Sequence, residues 1–237
     1  MKSTIAIRNA LNCYKKHDLI FASQLYREKL KELITEVAYY KMLERMCKSG
    51  ELYKVSKGIY CIPEVTKYGI VPPSERKIVE TFVENMNGVI VGYSLYNQLN
   101  LTTQISKNIE IISSNLEGQT KKIQNICIKR VQLEYTQEIK NMIQGMEVLQ
   151  NYYEIQDLNH SAFLTFSKEF ALKYRDEVFA YVFSNISYKK STIAFAKEIL
   201  EYYQIKNCLG EYLSSLSDYK YPKMEEIYKT SRRERGF

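Results

Sequence analysis

TEVAYYKMLERMCKSGELYKVSKGIYCIP, residues 35–63, changes character half-way. Its first half has the spacing of an amphipathic helix, and its second half reads as a tight β-hairpin. Thr35 stands where a side-chain oxygen can cap the first turn. Gly50 stands where a left-handed residue ends a helix. At ~100° per residue, Tyr39, Leu43, Met46 and Cys47 fall on one side of that helix. Ala38, Lys41, Arg45 and Lys48 fall on the other, so one face is suited to burial and the opposite one is cationic. ELYKV and GIYCI then form two short runs of β-formers joined by Ser56, Lys57 and Gly58, with Lys54 and Lys57 on or beside the tip. A helix leading straight into a basic hairpin is the layout of a winged helix-turn-helix, in which the helix enters the major groove and the hairpin touches backbone or minor groove. Pattern alone leaves a second reading open, a plain amphipathic helix with a solvated basic face.

Upstream, residues 3–16 read as a helix. Ala22 or Ser23 opens a second one, with Ser23 as its N-cap, and this ends near Leu33. Three helices and a hairpin complete an N-terminal domain over 1–63. Pro63, Gly69, Pro72 and Pro73 mark a linker. From 64 to 133 the pattern suits a small α+β domain. It has a helix opened by Ser74, a buried strand, a turn at Gly92, a short helix, and strands over 108–113 and 123–129. The region 134–237 is helical, with candidate helices over 136–154, 161–173, 176–183, 189–203 and 206–216. Its recurrent aromatics, such as Phe163, Phe170, Phe179 and Phe195, suit a helical core, with an exposed binding face as the alternative. The tail SRRERGF reads as an unstructured terminus. The fold class is therefore α+β: an N-terminal winged helix-turn-helix, a small α+β middle domain and a helical C-terminal part.

Charge is uneven along the chain. Residues 1–62 hold 12 Lys and Arg against 6 Asp and Glu, whereas residues 63–237 hold 22 against 21. A local basic excess suits a phosphate backbone, where each neutralised contact releases counterions. No apolar run approaches the ~20 residues that span a bilayer, and the N-terminus lacks a signal-peptide h-region. The expected location is cytoplasmic, with no membrane partner. The five cysteines are scattered and never form a CxxC pair, which points to reduced, mostly buried thiols. His17 and His160 lack nearby ligand-type partners in the sequence, so a metal site or a histidine triad is poorly supplied. No phosphate-loop, dinucleotide or nucleophile-elbow motif occurs. No enzyme activity and no cofactor are expected.

Four segments carry a resemblance: LIFASQL at 19–25, KMLERMCKSGEL at 41–52, KGIYCIP at 57–63 and VGYSLYNQLNLTTQI at 91–105. Together they resemble the AbiEi-like antitoxins of type IV, abortive-infection toxin–antitoxin systems. Leu43, Arg45, Gly50, Leu52, Gly58, Tyr60 and Pro63 match, while Met42, Met46, Tyr96, Asn97 and Asn100 depart. The likeness covers about the first 130 residues. It implies a winged-helix transcriptional regulator that binds double-stranded DNA at its own promoter as a repressor. It also implies neutralisation of a co-encoded nucleotidyltransferase-type toxin. The candidate DNA-binding residues are Thr35, Ala38, Lys41, Arg45 and Lys48 on the helix and Lys54 and Lys57 on the wing, with Tyr40 at the edge of the buried face. For Arg45 an ion pair within its helix or with a carboxylate of the first helix is the competing role. The alternative function is a protein-interaction module that keeps the fold but does not bind DNA.

Overall fold

Two hydrophobic cores organise the chain. The computed structural model describes residues 2–234 as a mixture of helices and three small sheets. Its internal packing divides it into two units, Met1–Thr81 and Phe82–Phe237. The sequence reading draws boundaries at 63/64 and 133/134.

The first unit begins with α1 (Lys2–Leu11), whose Ile7, Ala10 and Leu11 are buried. A two-residue strand, β1 (Ile20–Phe21), leads into α2 (Ala22–Leu25), which continues as a π turn over Tyr26–Leu30. Helix α3 (Glu36–Lys48) follows, then β2 (Tyr53–Ser56) and β3 (Ile59–Cys61). The sheet order is β1-β3-β2, all antiparallel, with a bulge between Lys54 and Ser56. Tyr39 anchors α3. Its ring is fully buried and stacks on Tyr26 at 5.3 Å, and its hydroxyl donates to the Ala22 carbonyl at 3.0 Å. Gly50 and Gly58 adopt φ of 80° and 78°, the left-handed conformation that a helix stop and a tight hairpin demand. Beyond β3, strands β4 (Glu64–Thr66) and β5 (Gly69–Val71) pair, among the described residues, only with each other. Helix α4 (Glu75–Val83) opens with Ser74 accepting from the Lys77 N–H at 3.2 Å.

The second unit joins a four-stranded sheet to a helical core. Its strands are β6 (Gly88–Val91), β7 (Ile109–Ser113), β8 (Thr120–Ile123) and β9 (Ile126–Arg130). Their order is β6-β7-β9-β8, with β7 and β9 parallel and the other pairs antiparallel. Helix α5 (Gly92–Gln98) packs on β6 and β7. The central helix is α6 (Gln137–Gln150), whose Met142, Ile143, Met146, Val148 and Leu149 are buried. Around it lie α7 (His160–Lys173), α8 (Asp176–Asn185) and α9 (Lys190–Tyr202), and α10 (Met224–Glu234) packs on α7 and α9. Phe163 stacks on Phe195 at 5.9 Å, and Tyr152 meets both edge-on. The aromatics are thus mainly core, although Tyr153 and Tyr202 are exposed.

Several local expectations are corrected. Thr35 occupies the N-cap position, but its side chain makes no capping bond. Phe21, not Ser23, precedes α2 and caps nothing. The first two helices stop at Leu11 and Leu30, short of the expected 16 and 33. The proline-flanked linker contains the β4–β5 hairpin, because Gly69 at φ 115° permits its turn. The single strand expected over 123–129 is two, β8 and β9, joined through Gln124 at φ 54°. Residues 206–216 form only a short 3-10 turn, Leu209–Tyr212, and the last helix is α10. Of the tail, 231–234 are helical, and 235–237 lie outside the described residues. Among the five free cysteines only Cys61 is buried, and Cys13 and Cys208 are exposed.

Candidate nucleic-acid interface

Burial on α3 is one-sided because its apolar residues recur every three or four positions. Tyr39, Leu43 and Met46 turn into the first core. Thr35, Ala38, Lys41, Arg45 and Lys48 are all exposed. The helix therefore keeps a continuous outer face that carries three cations. Tyr40 is half-buried, with its ring tilted on Tyr39 at 5.2 Å, so much of its surface goes into packing.

Electrostatics separates these cations. Lys48 pairs with Glu44 one turn earlier at 3.1 Å. Such an exposed pair contributes little to stability and leaves a surface lysine able to exchange partners. Neither Lys41 nor Arg45 has an ion-pair partner among the described residues. The competing role for Arg45 is not realised. The residue that links α1 to the end of α3 is Arg8, which donates from Nε and Nη2 to the two Glu51 oxygens, each at 3.0 Å. That bond is the main reason the Glu51 carboxyl is held below its ordinary pKa, against the opposing effect of burial. The sequence reading missed this pair, and its partners stand 43 positions apart.

The hairpin places the remaining candidates. Lys57 is exposed in the turn beside Gly58, and the Gly58 carbonyl accepts from the Ala22 N–H at 2.9 Å. The turn is thereby tied to the start of α2. Lys54 is exposed on β2, opposite Tyr60. It lies near enough to Cys47 to oppose the rise that burial imposes on that thiol. Cys47 is on the flank of α3 away from Lys41 and Arg45, so Lys54 belongs to a different edge of the unit from those two. The structure thus groups Lys41, Arg45 and Lys48 with Thr35 and Ala38, and sets Lys54 and Lys57 on the neighbouring hairpin.

Among the described residues, no group of three His, Cys, Asp or Glu side chains converges as metal ligands. No helix there is long and apolar enough to cross a membrane.

No protein-family model matches the chain, and no curated protein matches it. Among solved structures, the crystal structure of RV2827C protein from Mycobacterium tuberculosis aligns with a TM-score of 0.41 and 9% identity. The alignment covers 85% of this chain and 77% of that one.

Proposed function

We propose that residues 1–63 are a winged helix-turn-helix in which α3 is the recognition helix and the β2–β3 hairpin is the wing. The observation that carries this is the outer face of α3. It is solvent-exposed, and its Lys41 and Arg45 have no ion-pair partner among the described residues. Lysine and arginine on such a face reach phosphates or guanine edges, while Thr35 and Ala38 are small enough to let the helix approach the groove floor. With Lys48 on α3 and Lys57 in the hairpin turn the surface supplies up to four cationic contacts per chain, and Lys54 lies on a different edge.

The function proposed is that of a DNA-binding autorepressor. The bound domain occludes the promoter, so polymerase cannot enter. The antitoxin role in a type IV pair, with a co-encoded nucleotidyltransferase-type toxin, rests on the motif resemblance. No catalytic role is assigned to any residue. A salt titration of binding to the chain's own upstream DNA tests the proposal, since log K falls by about 0.9 per neutralised phosphate and decade of salt. Specific binding with a steep salt slope supports it, and absence of binding at low salt overturns it.

A protein-interaction module is the second reading. It is favoured by the β4–β5 hairpin, where Val65, Tyr68 and Ile70 are solvent-exposed. Retention of a protein partner together with absence of DNA binding would select it.

A further inference from the structure

The second unit holds a cleft of about 450 Å³ whose walls carry opposite charge. It lies over one face of the four-stranded sheet. Register puts Val91, Glu110, Cys127 and Lys122 in one cross-strand row on that face, and Ile112, Lys129 and Thr120 in the next. The β6 end of the face is buried in the core, with Val89 and Val91 at 2% and 5% exposure. The β9–β8 end is open, with Lys122, Lys129 and Thr120 exposed. Glu147 of α6 closes the cleft beside Glu110.

Two carboxylates converge on Gly92. Glu147 accepts the Gly92 backbone N–H, the Asn151 amide at 2.8 Å and the Tyr96 hydroxyl at 3.2 Å. Glu110 lies so close to Gly92 that a Cβ there would meet its Cδ and Oε1 at 3.1 and 3.2 Å. Neither carboxylate has an ion-pair partner among the described residues, and neither have Lys122 and Lys129. Burial, and secondarily the charge of Glu110, raises the pKa of Glu147. Near enough to feel the charge of Glu147 is the Tyr188 hydroxyl, which is buried and has no hydrogen-bond partner among the described residues.

A half-buried carboxylate next to a second one is stabilised by a cation. The lysines sit one and two strands away from β7, and two strand spacings are about 10 Å. We infer that this cleft is a binding site for a small zwitterion, its primary ammonium held between Glu110 and Glu147 and its carboxylate by Lys122 and Lys129. Cys127, between Glu110 and Lys122 in the cross-strand row, and Ile112, beside Lys129, supply the floor between the two charged ends.

Isothermal titration of the full-length chain tests the assignment. The probes are 4-aminobutyrate and 6-aminohexanoate, with ethylamine and acetate as single-charge controls. At least one zwitterion is expected to bind, at least tenfold more tightly than either control. Glu110→Gln and the double variant Lys122→Ala/Lys129→Ala are each expected to weaken it tenfold or more. These three side chains are exposed, so the variants leave the fold intact, as circular dichroism verifies. Absence of zwitterion binding up to about 10 mM, a range that covers weak millimolar sites, overturns the assignment. So does equal binding of ethylamine, or unchanged affinity in both variants.

Discussion

Tyr39 shows how one side chain serves the proposed interface without touching it. Its ring fills the first core and its hydroxyl bonds to Ala22, so it fixes α3 against α2. Tyr39→Phe keeps the ring and removes one of two donors to the Ala22 carbonyl, which also accepts from the Tyr26 N–H. It should cost about 0.5–1.5 kcal/mol in urea unfolding, without changing the cationic face. Lys41→Glu with Arg45→Glu should do the opposite, abolishing DNA retention while the thermal midpoint stays nearly constant, as a gel shift and a melting curve would show. Two glycines mark close approaches in the second unit. A Cβ at Gly145 would meet the Phe170 ring at 2.3 Å, and one at Gly88 would meet the Ile112 and Phe82 carbonyls at 2.4 and 2.5 Å. Either change to alanine overpacks its site and should cost about 1–3 kcal/mol. Gly88→Ala should be the worse of the two, because it meets backbone that cannot rotate away. Denaturant midpoints would rank them.

At the scale of elements, α3 was legible because its apolar spacing and its stop at Gly50 are both written in local sequence. The β6–Gly92–α5 unit was legible for the same reason, with Gly92 at φ 66°. The turn between β8 and β9 was not. It uses Gln124 at positive φ, a position where glycine, asparagine or aspartate gives the usual signal. The β4–β5 hairpin was hidden by its flanking prolines. Within the candidate interface, the outward cations could be read from periodicity, but the Arg8–Glu51 clasp could not, since only the fold brings its partners together. A comparable tie joins Asp18 to the start of α4. Lys77 bonds to Asp18 at 2.9 Å, and the Lys15 N–H donates to it at 2.8 Å. Burial pushes the Asp18 carboxyl upward, but these bonds together outweigh it and leave the pKa below its ordinary 3.8. A carboxyl lowered on folding contributes stability that is full above its unfolded pKa and lost as pH falls through the folded one. Asp18→Asn should therefore lower the melting temperature at pH 7, and the difference from the parent should shrink below about pH 4. A difference constant from pH 7 to pH 2 would rule out this charge-based account.

Over the whole molecule, the basic excess of residues 1–62 is the feature that separates the two parts of the sequence. Some of that excess is engaged at home. Arg8 holds Glu51, Lys48 holds Glu44, and Lys16 lies 3.9 Å from Glu64. What remains outward on α3 is concentrated at Lys41 and Arg45, so these two should dominate the electrostatic part of binding. The second unit, close to charge balance and built around α6, supplies the aromatic core. The measurement that bears most directly on the proposed function is the salt dependence of binding to the native upstream DNA, made with the parent chain and with Lys41→Ala. The parent is expected to bind specifically, and the single substitution to reduce the magnitude of the log K–log[salt] slope by about 1. A parent that fails to bind at low salt, or a slope that the loss of Lys41 leaves unchanged, would contradict the assignment of α3 as the DNA-reading helix.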